Sequence, residues 1–291
     1  MGTSIMPSES FGLPWAEQRG ADNMTRSLIA GLLADGYSPS SITATDPIAD
    51  QRTDVGARFG IATLADNNRA VAQADVVVLA VKPQTMQAVA SSLAQTIQHR
   101  KPLVITIAAG IRTHDLDRWL GGDTALVRCM PNTPAMVQSG ATALFATDKV
   151  DTPRRDIAES IMRAVGIICW VEDESLLDVV TAVSGSGPAY FFLVMEALQA
   201  GAEQLGLPSQ TARLLTLQTA LGAARMAMES QQSPAQLRRQ VTSKGGTTER
   251  AIDVLEASGL QDNFIRALMA ARDRSEELAR LMSTQTGNSS S

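Results

Sequence analysis

From about residue 24 to residue 172, short and nearly continuous apolar runs alternate with amphipathic stretches. The runs are rich in β-branched residues and have the length of strands, whereas the stretches between them repeat apolar side chains at helical spacing. Continuous apolar runs are typical of strands covered on both faces, as in a parallel sheet. The pattern therefore predicts a doubly wound α/β domain with a mainly parallel sheet. The predicted strands lie within 74–83, 102–110, 124–132, 141–146 and 166–171, and two of the predicted helices are 84–98 and 153–165.

After Val171 the strand pattern stops and only helical periodicity follows. This predicts a domain of residues 1–172, in which 1–22 form an atypical leader, and a helical domain of residues 173–291 with a polar, disordered tail at 284–291. Two of the helices are apolar over more than half of their circumference, which favours a domain that pairs with another subunit. The alternative is that these faces only pack on each other. The predicted helices are 187–207, 209–230, 233–243, 247–259 and 260–282, of which the second and the last are the apolar ones.

Composition excludes several classes of protein. The 25 basic and 30 acidic side chains give a net charge of −5, and no basic run suggests a nucleic-acid partner. Two cysteines, 40 residues apart, predict two buried reduced thiols rather than a disulfide framework. Only two histidines are present and neither has a ligand-like neighbour, so no metal site is expected. No apolar run approaches the ~20 residues that span a bilayer, which predicts a soluble, cytoplasmic protein without membrane contact.

Three predicted strands end in unusual loops. In an open α/β sheet, ligands bind beyond the carboxyl ends of the strands. One strand runs into Val81-Lys82-Pro83, a second into the small residues 108–110, and a third into Met130-Pro131-Asn132-Thr133-Pro134. Each could be an ordinary strand-to-helix turn. Because all three open toward one edge of the predicted sheet, they favour a ligand crevice.

The helical half contains a glycine-rich stretch, "TSKGGTTERAI" (242–252), ahead of a predicted helix. With Gly246 as N-cap, Glu249 falls at the third helical position and is predicted to bond back as in a capping box. Free N–H groups and the positive end of the helix dipole make such a start a site for a carboxylate or a phosphate. A second glycine-rich stretch, "VSGSGPAYFF" (183–192), begins another predicted helix.

Several of these segments together resemble the pyrroline-5-carboxylate reductases. They are "RCMPNTPAMVQSGATALFA", "DVVTAVSGSGPAYFFLVMEAL" and "LRRQVTSKGGTTERAI", with "ADVVVLAVKPQ" and "IAAGI" in the same order, and the likeness covers roughly residues 23 to 282. The resemblance implies hydride transfer from NAD(P)H to the C=N bond of 1-pyrroline-5-carboxylate, giving L-proline, the last step of proline biosynthesis. It also implies a Rossmann domain followed by a helical dimerisation domain, an active site at the dimer interface, and a homodimer that assembles further, commonly into a decamer of five dimers.

The resemblance also implies roles for individual residues. The substrate carboxylate is expected on the loop ahead of the 247–259 helix, and Thr248, or a water that it holds, is the candidate proton donor to the imine nitrogen. Asn67 or Asn68 is expected near the adenosine, and Pro131 with Asn132 around the nicotinamide. The expected substrate residues are Ser243, Gly245, Gly246, Thr247 and Thr248; the expected cofactor residues are Gly20, Asn23, Met24, Thr45, Asp46, Asn67, Ala80, Val81, Lys82, Pro83, Ala108 and Asn132.

The residues leave the choice of cofactor open. Asp46 follows Gly20 by 26 residues, about where a Rossmann acid binds the ribose hydroxyls, and such an acid favours NADH. Thr45 beside it is instead suited to help hold a 2′-phosphate. On family grounds alone the preferred expectation is NADPH, with NADH possible.

The resemblance breaks at the start of the chain. Relatives begin with an apolar strand and a Gly-x-Gly-x-Met turn, whereas this chain has "LPWAEQRGADNM". Gly20 and Met24 keep their places, but Asp22 replaces a glycine, and polar residues replace the strand. One hypothesis is that the first ~22 residues are foreign to the family and weaken cofactor binding; the alternative is that "PWAEQR" still forms the strand.

Two other functions stay open from the residues. One is a catalytically weakened homologue with impaired cofactor binding. The other is a related β-hydroxyacid dehydrogenase or imine reductase, which would need Lys244, the only lysine after Lys149, as its catalytic lysine. The place of Lys244 inside the glycine-rich loop favours the proline enzyme.

Overall fold

The computed structural model describes the backbone of residues 11–14 and 19–284 and the side chains of residues 23–283. These residues form two compact units. The sheet unit runs up to Gly185 and resumes at Ala271, and the helical unit is Ser186–Ala270. This division differs from the predicted boundary at residue 172, because residues 173–185 and the last part of the C-terminal helix belong with the sheet.

The sheet unit contains an eight-stranded sheet in the order β3-β2-β1-β4-β5-β6-β7-β8. Neighbouring strands run parallel except at β6 and β7, which are antiparallel. This confirms the predicted mainly parallel sheet. The strands are β1 Phe11–Pro14, β2 Ile42–Thr45, β3 Ala62–Leu64, β4 Val76–Leu79, β5 Leu103–Thr106, β6 Leu126–Met130, β7 Gly140–Ala146 and β8 Gly166–Trp170.

Helices cover both faces of this sheet. The helices of the sheet unit are α1 Arg19–Ala34, α2 Ala49–Phe59, α3 Asn67–Val71, α4 Pro83–Arg100, α5 Thr113–Trp119, α6 Thr152–Arg163 and α7 Leu176–Val180, with 3-10 turns at Pro39–Ser41 and Thr133–Val137 and a π turn at Thr181–Gly185. Leu28 of α1 and Ile161 of α6 belong to one buried cluster. Leu93 of α4 and Leu116 of α5 belong to another. The doubly wound arrangement follows from these two cores.

The helical unit agrees with the predicted succession of helices. Its elements are α8 Gly187–Gln204, α9 Ser209–Glu229, α10 Pro234–Gln240, α11 Thr247–Ala257 and the first part of α12 Leu260–Thr284. Ser233 starts α10 with a full capping box, in which Gln236 bonds back to the Ser233 backbone.

β1 lies in the middle of the sheet, between β2 and β4. Phe11 pairs with Ile42 on one side and with Val76 on the other. The expectation that polar residues replace the first strand is therefore wrong: the strand is "FGLP", and most of "PWAEQR" follows it. Backbone hydrogen bonds to two neighbours can hold a central strand whose own side chains show no strand pattern. Because α1 begins at Arg19, Gly20 and Asp22 lie in its first turn; their side chains are outside the described residues.

One smaller expectation also needs correction. Cys129 is buried, but Cys169 is exposed, because alternate residues of β8 face opposite sides and those of its outer face are left uncovered. Among the described residues, one stretch, Leu176–Gln204, is long and apolar enough to cross a membrane by length and composition alone. The core helix of a soluble protein meets the same criteria, so length and composition do not establish a membrane span.

Candidate functional site

The chain direction at the sheet centre creates a crevice. From β1 the chain passes to β2 on one side, and β4 lies on the other side. Open α/β sheets bind their ligands at this point, beyond the carboxyl ends of the strands. The crevice is therefore expected among the segments that follow β1, β2, β4 and β5. The parts of these segments that the structure describes lie within the sheet unit.

The segment after β4 is a compact turn into α4. Ala80 and Val81 are each 2% exposed, so their side chains belong to the core and only their backbone is available at the strand end. Lys82 is the extended N-cap residue of α4 and Pro83 is its first helical residue. Proline suits this position because the first N–H groups of a helix have no intrahelical partner. The result is a helix start with a lysine at its opening.

The segment after β5 is held in place from both ends. The Ala108 N–H donates to Thr106 Oγ1 at 3.3 Å. Gly110 has φ +76°, a left-handed conformation that glycine adopts without a steric penalty. At the far end, Arg112 is ion-paired with the buried Asp178 at 2.5 Å, and Ser275 of α12 donates to the same carboxylate at 2.8 Å. The loop 107–112 therefore has little freedom to move.

A second buried polar group supports the same region. Arg128 of β6 donates to Glu174 Oε1 at 2.7 Å, and its side chain is 3% exposed. The backbone N–H and the hydroxyl of Thr113 each donate to the Glu174 carboxylate at 2.8 Å. Breaking a buried pair by removing one partner typically costs ~3–5 kcal/mol. These pairs could not be predicted from the sequence, because their partners lie 46 to 66 residues apart and no local pattern marks them.

Asn132, expected near the nicotinamide, connects three backbone segments. Its Nδ2 donates to the Ser184 carbonyl at 3.2 Å, and its Oδ1 accepts from the Ala141 N–H at 2.9 Å. Gly185 packs closely here, since an added Cβ would lie 2.7 Å from Met130 Cε. Both polar ends of the Asn132 amide are thus occupied by the protein itself.

The end of β2 carries the residues expected near the adenosine. The Thr45 hydroxyl donates to Asn67 Oδ1 at 2.5 Å. Asn68 instead faces α4, where it bonds to Thr96 and Ser92. The structure therefore separates the two candidate asparagines: Asn67 lies at the crevice edge of β2.

Asp46, expected to contact the ribose, is 2% exposed. Its Oδ1 accepts the Ile48 N–H at 2.7 Å and so shapes the turn into α2. Arg52 lies against the same turn, where its Nη1 donates to the carbonyls of Asp46 and Pro47 at 2.7 and 2.9 Å. Arg52 could not be recognised from the sequence, since a cation in the first turns of a polar helix looks like an ordinary surface residue.

Two further residues that are expected to bind the cofactor, Asn23 and Met24, lie on α1. Asn23 is exposed, and its carbonyl accepts from Ser27 Oγ at 2.7 Å. Met24 is partly buried against the core of the sheet unit.

The helical unit carries the expected substrate loop. Gly246 is the N-cap of α11 and Thr247 its first residue. Gly245 has φ +70°, and its N–H donates to Glu249 Oε2 at 2.7 Å. Glu249 does bond back, as predicted, but to the residue before the N-cap, because the Gly246 N–H is already donated to the Ser243 carbonyl at 3.0 Å.

Residue 246 has no room for a side chain unless Ser243 moves. An added Cβ would lie 2.6 Å from Ser243 Oγ and 3.0 Å from the Ser243 carbonyl oxygen. Thr247 is exposed and Thr248 half-buried, so the first turn of α11 carries two hydroxyl groups as well as its first backbone N–H groups. Such a start is a site for a carboxylate or phosphate. Within the described residues, no group of three or more His, Cys, Asp and Glu side chains is placed to hold a metal ion.

The comparisons with known proteins cover both units. Residues 174–278 match the family model described as pyrroline-5-carboxylate reductase dimerisation. Residues 20–110 match the model described as NADP oxidoreductase, coenzyme F420-dependent.

Individual relatives match over nearly their full length. A pyrroline-5-carboxylate reductase of Pseudomonas aeruginosa is 51% identical over 260 residues, which is 89% of this chain and 95% of the relative. The structure of a pyrroline-5-carboxylate reductase from Coxiella burnetii is similar with a TM-score of 0.89 and 48% identity, covering 94% of this chain and 99% of that one. The Plasmodium falciparum pyrroline carboxylate reductase with NADP bound has a TM-score of 0.81 and 25% identity, with coverage of 94% and 99%.

Proposed function

Because the chain belongs to the pyrroline-5-carboxylate reductase family, we propose that it reduces 1-pyrroline-5-carboxylate to L-proline with NADPH, the last step of proline biosynthesis. The observation that carries this proposal is the 51% identity to a pyrroline-5-carboxylate reductase over 89% of the chain. The two sets of segments described above have the chemistry that the reaction needs.

The start of α11 would hold the substrate carboxylate. Gly246 permits a close approach to the backbone, and Ser243, Thr247 and Thr248 add hydroxyl donors. Hydrogen bonds to a charged acceptor are roughly twice as strong as neutral ones, so a small ring with one carboxylate can be oriented here without an arginine. The imine nitrogen then needs a proton source, and the Thr248 hydroxyl, directly or through a water, is the candidate.

The carboxyl edge of the sheet would hold the dinucleotide. The residues at this edge fit such a ligand: neutral Thr45 and Asn67 at the β2 end, the cation Lys82 at the opening of α4, and the small Ala108 after β5. The nicotinamide, when bound, supplies the hydride. The protein contributes orientation, which alone can be worth ~7–11 kcal/mol of the barrier when two reactants are held in contact. The fixed loop 107–112 serves that purpose.

A catalytically weakened homologue is not favoured. That hypothesis rested on the altered first motif, and the strand of that motif is present, since β1 occupies its central place in the sheet. The related dehydrogenase hypothesis would require Lys244 as catalyst, and Lys244 is an exposed residue of the loop that precedes α11. Both alternatives make the same contrary prediction, namely a folded protein without turnover of the cyclic imine.

Assembly and location belong to the same proposal. The dimerisation model matches residues 174–278, from α7 into α12, and suggests an oligomer. We propose a homodimer that assembles into a decamer of five dimers and works in the cytoplasm. Light scattering of the purified protein at several concentrations separates a dimer from a decamer, and fractionation of the source cells tests the location.

The decisive experiment is loss of NADPH absorbance with 1-pyrroline-5-carboxylate and the purified full chain, with L-proline identified as product. We expect Gly246→Ala to raise KM for the imine about tenfold or more, because its Cβ displaces Ser243, while KM for NADPH stays unchanged. Ser258→Ala, which removes an exposed hydroxyl at the other end of α11, is the matched control. A wild-type chain that folds and binds NADPH but gives no L-proline would contradict the proposal.

A further inference from the structure

The turn after β2 contains an acid that is not placed to contact a ribose. Rossmann enzymes that use NAD hold the ribose hydroxyls with an acid at this point, whereas an arginine nearby accommodates the 2′-phosphate of NADP. Here the acid is Asp46, which is 2% exposed and accepts the Ile48 N–H at 2.7 Å. Its carboxylate is thus part of the turn.

Arg52 is anchored at the same turn by neutral groups. Nη1 donates to the Asp46 and Pro47 carbonyls, and these two bonds occupy one nitrogen of a guanidinium that has five N–H groups. Within residues 23–283, no ion pair within 4.0 Å holds Arg52. The two bonds hold Arg52 at the turn, and the other three of its five N–H groups take no part in them.

The neighbouring cations differ from Arg52 in this respect. Arg26 is ion-paired with Asp54 and also donates to Gln51 at 2.7 Å. Arg58, on the same helix as Arg52, is exposed and lies over the Phe59 ring at 5.2 Å. Arg52 is therefore the α2 cation that is oriented toward the β2 end without a carboxylate partner.

Two neutral side chains meet at the end of β2. Thr45 donates to Asn67 Oδ1 at 2.5 Å, and within residues 23–283 the two N–H groups of the Asn67 amide have no hydrogen-bond acceptor. The turn thus offers a half-buried guanidinium, two neutral side chains and an acid whose carboxylate is buried. These groups suit the 2′-phosphate of NADP better than the free ribose 2′-hydroxyl of NAD. We propose that Arg52 determines the preference of this chain for NADPH over NADH by binding the 2′-phosphate. This inference rests on the proposed function and deepens it.

Binding without turnover is the first test. The two probes are adenosine 2′,5′-bisphosphate and AMP, titrated calorimetrically against the full chain. We expect the wild type to bind the bisphosphate more tightly than AMP, and Arg52→Met to weaken the bisphosphate about 10- to 100-fold while AMP binding stays the same. Arg58→Met, the matched control on the same helix, should change neither affinity.

Turnover gives the second test. In Arg52→Met, kcat/KM should fall with NADPH and stay within about twofold with NADH. Arg52→Lys keeps the charge but loses the planar guanidinium, so its preference for NADPH over NADH should lie between those of the wild type and Arg52→Met. The same variant tests the inference if Arg52→Met does not fold stably. Equal losses for both nucleotides, unchanged discrimination in both variants, or a wild type that binds AMP as tightly as the bisphosphate would overturn the inference. Failure of the proposed function is a different outcome, namely no imine turnover by the wild type with either cofactor.

Discussion

The two units bury their apolar residues to very different extents. In the sheet unit, all four residues of β4 and of β5 are buried. In the helical unit, α8 has one buried residue, Gly187, although Phe191, Phe192 and Leu193 follow one another along it. These three side chains are 68%, 66% and 65% exposed. The sheet unit closes its core within one chain and the helical unit does not.

The exposed apolar side chains of the helical unit agree with the proposed assembly. A helix that is apolar all around is normally buried, and a large exposed apolar surface marks an interaction site. α9 continues the surface with Leu214, Leu215 and Leu221, each more than half exposed. Since the family model over 174–278 describes dimerisation, a second copy of the chain is the natural occupant.

The largest expected effect comes from placing a charge on this surface. Phe191→Glu would bury an unpaired carboxylate in the dimer interface, at a cost of several kcal/mol. We expect monomers or aggregates at micromolar concentration and loss of imine turnover, measured by light scattering and by the NADPH assay. Ala57→Glu, on an exposed position of α2, is the control and should stay dimeric. A Phe191→Glu protein that remains dimeric would refute the comparison between the units.

A pair of truncations sharpens the same contrast. Leu79→Ala removes a fully buried side chain from β4 and should lower the free energy of unfolding by about 2–5 kcal/mol in urea. The dimer dissociation constant should stay within about threefold of wild type, because Leu79 lies in the self-contained core. Leu215→Ala on α9, where the side chain is 52% exposed, should instead raise that dissociation constant about tenfold or more. If Leu79→Ala changed mainly the dimer dissociation constant and Leu215→Ala mainly the free energy of unfolding, the difference between the two units would be contradicted.

The sequence predicts the parts of this fold that are locally encoded. The apolar runs that become β4 to β8 and the helical periodicity after Val171 both reflect side-chain burial at short range, so they could be recognised. β1 could not, since "FGLP" has no strand pattern and is held by β2 and β4 through the backbone. Local pattern carries no information about partners that are distant in sequence.

The candidate site divides along the same line. The loop 243–248 could be predicted because its glycines and hydroxyls immediately precede a helix. The position of Asp46 at the end of β2 could be predicted. Its burial could not, because burial depends on the turn in which its carboxylate accepts the Ile48 N–H. Arg52 was missed for the same reason: its contacts are with two carbonyls, which no sequence pattern distinguishes.

The smallest expected effect concerns the outer part of the sheet unit. Glu159 of α6 accepts from Arg163 at 2.9 Å and from the Trp170 indole at 2.6 Å, and these bonds, that from Arg163 first, hold the pKa of its carboxyl below the ordinary 4.5. A carboxyl whose folded pKa is lowered adds stability above the unfolded pKa, and that stability is lost as the pH falls through the folded pKa.

Glu159→Gln should therefore lower the free energy of unfolding by about 0.5–1 kcal/mol at neutral pH, a small amount because the side chain is 26% exposed. The difference from wild type should shrink as the pH falls below 4.5, where the wild-type carboxyl also becomes protonated. Urea midpoints at neutral and acidic pH measure this, with the i,i+3 neighbour on α6, Asp156→Asn, as a control. A difference that is constant across this range would mean that Glu159 acts through packing rather than through its charge. A shift in the dimer dissociation constant would contradict the independence of the closed core from the interface.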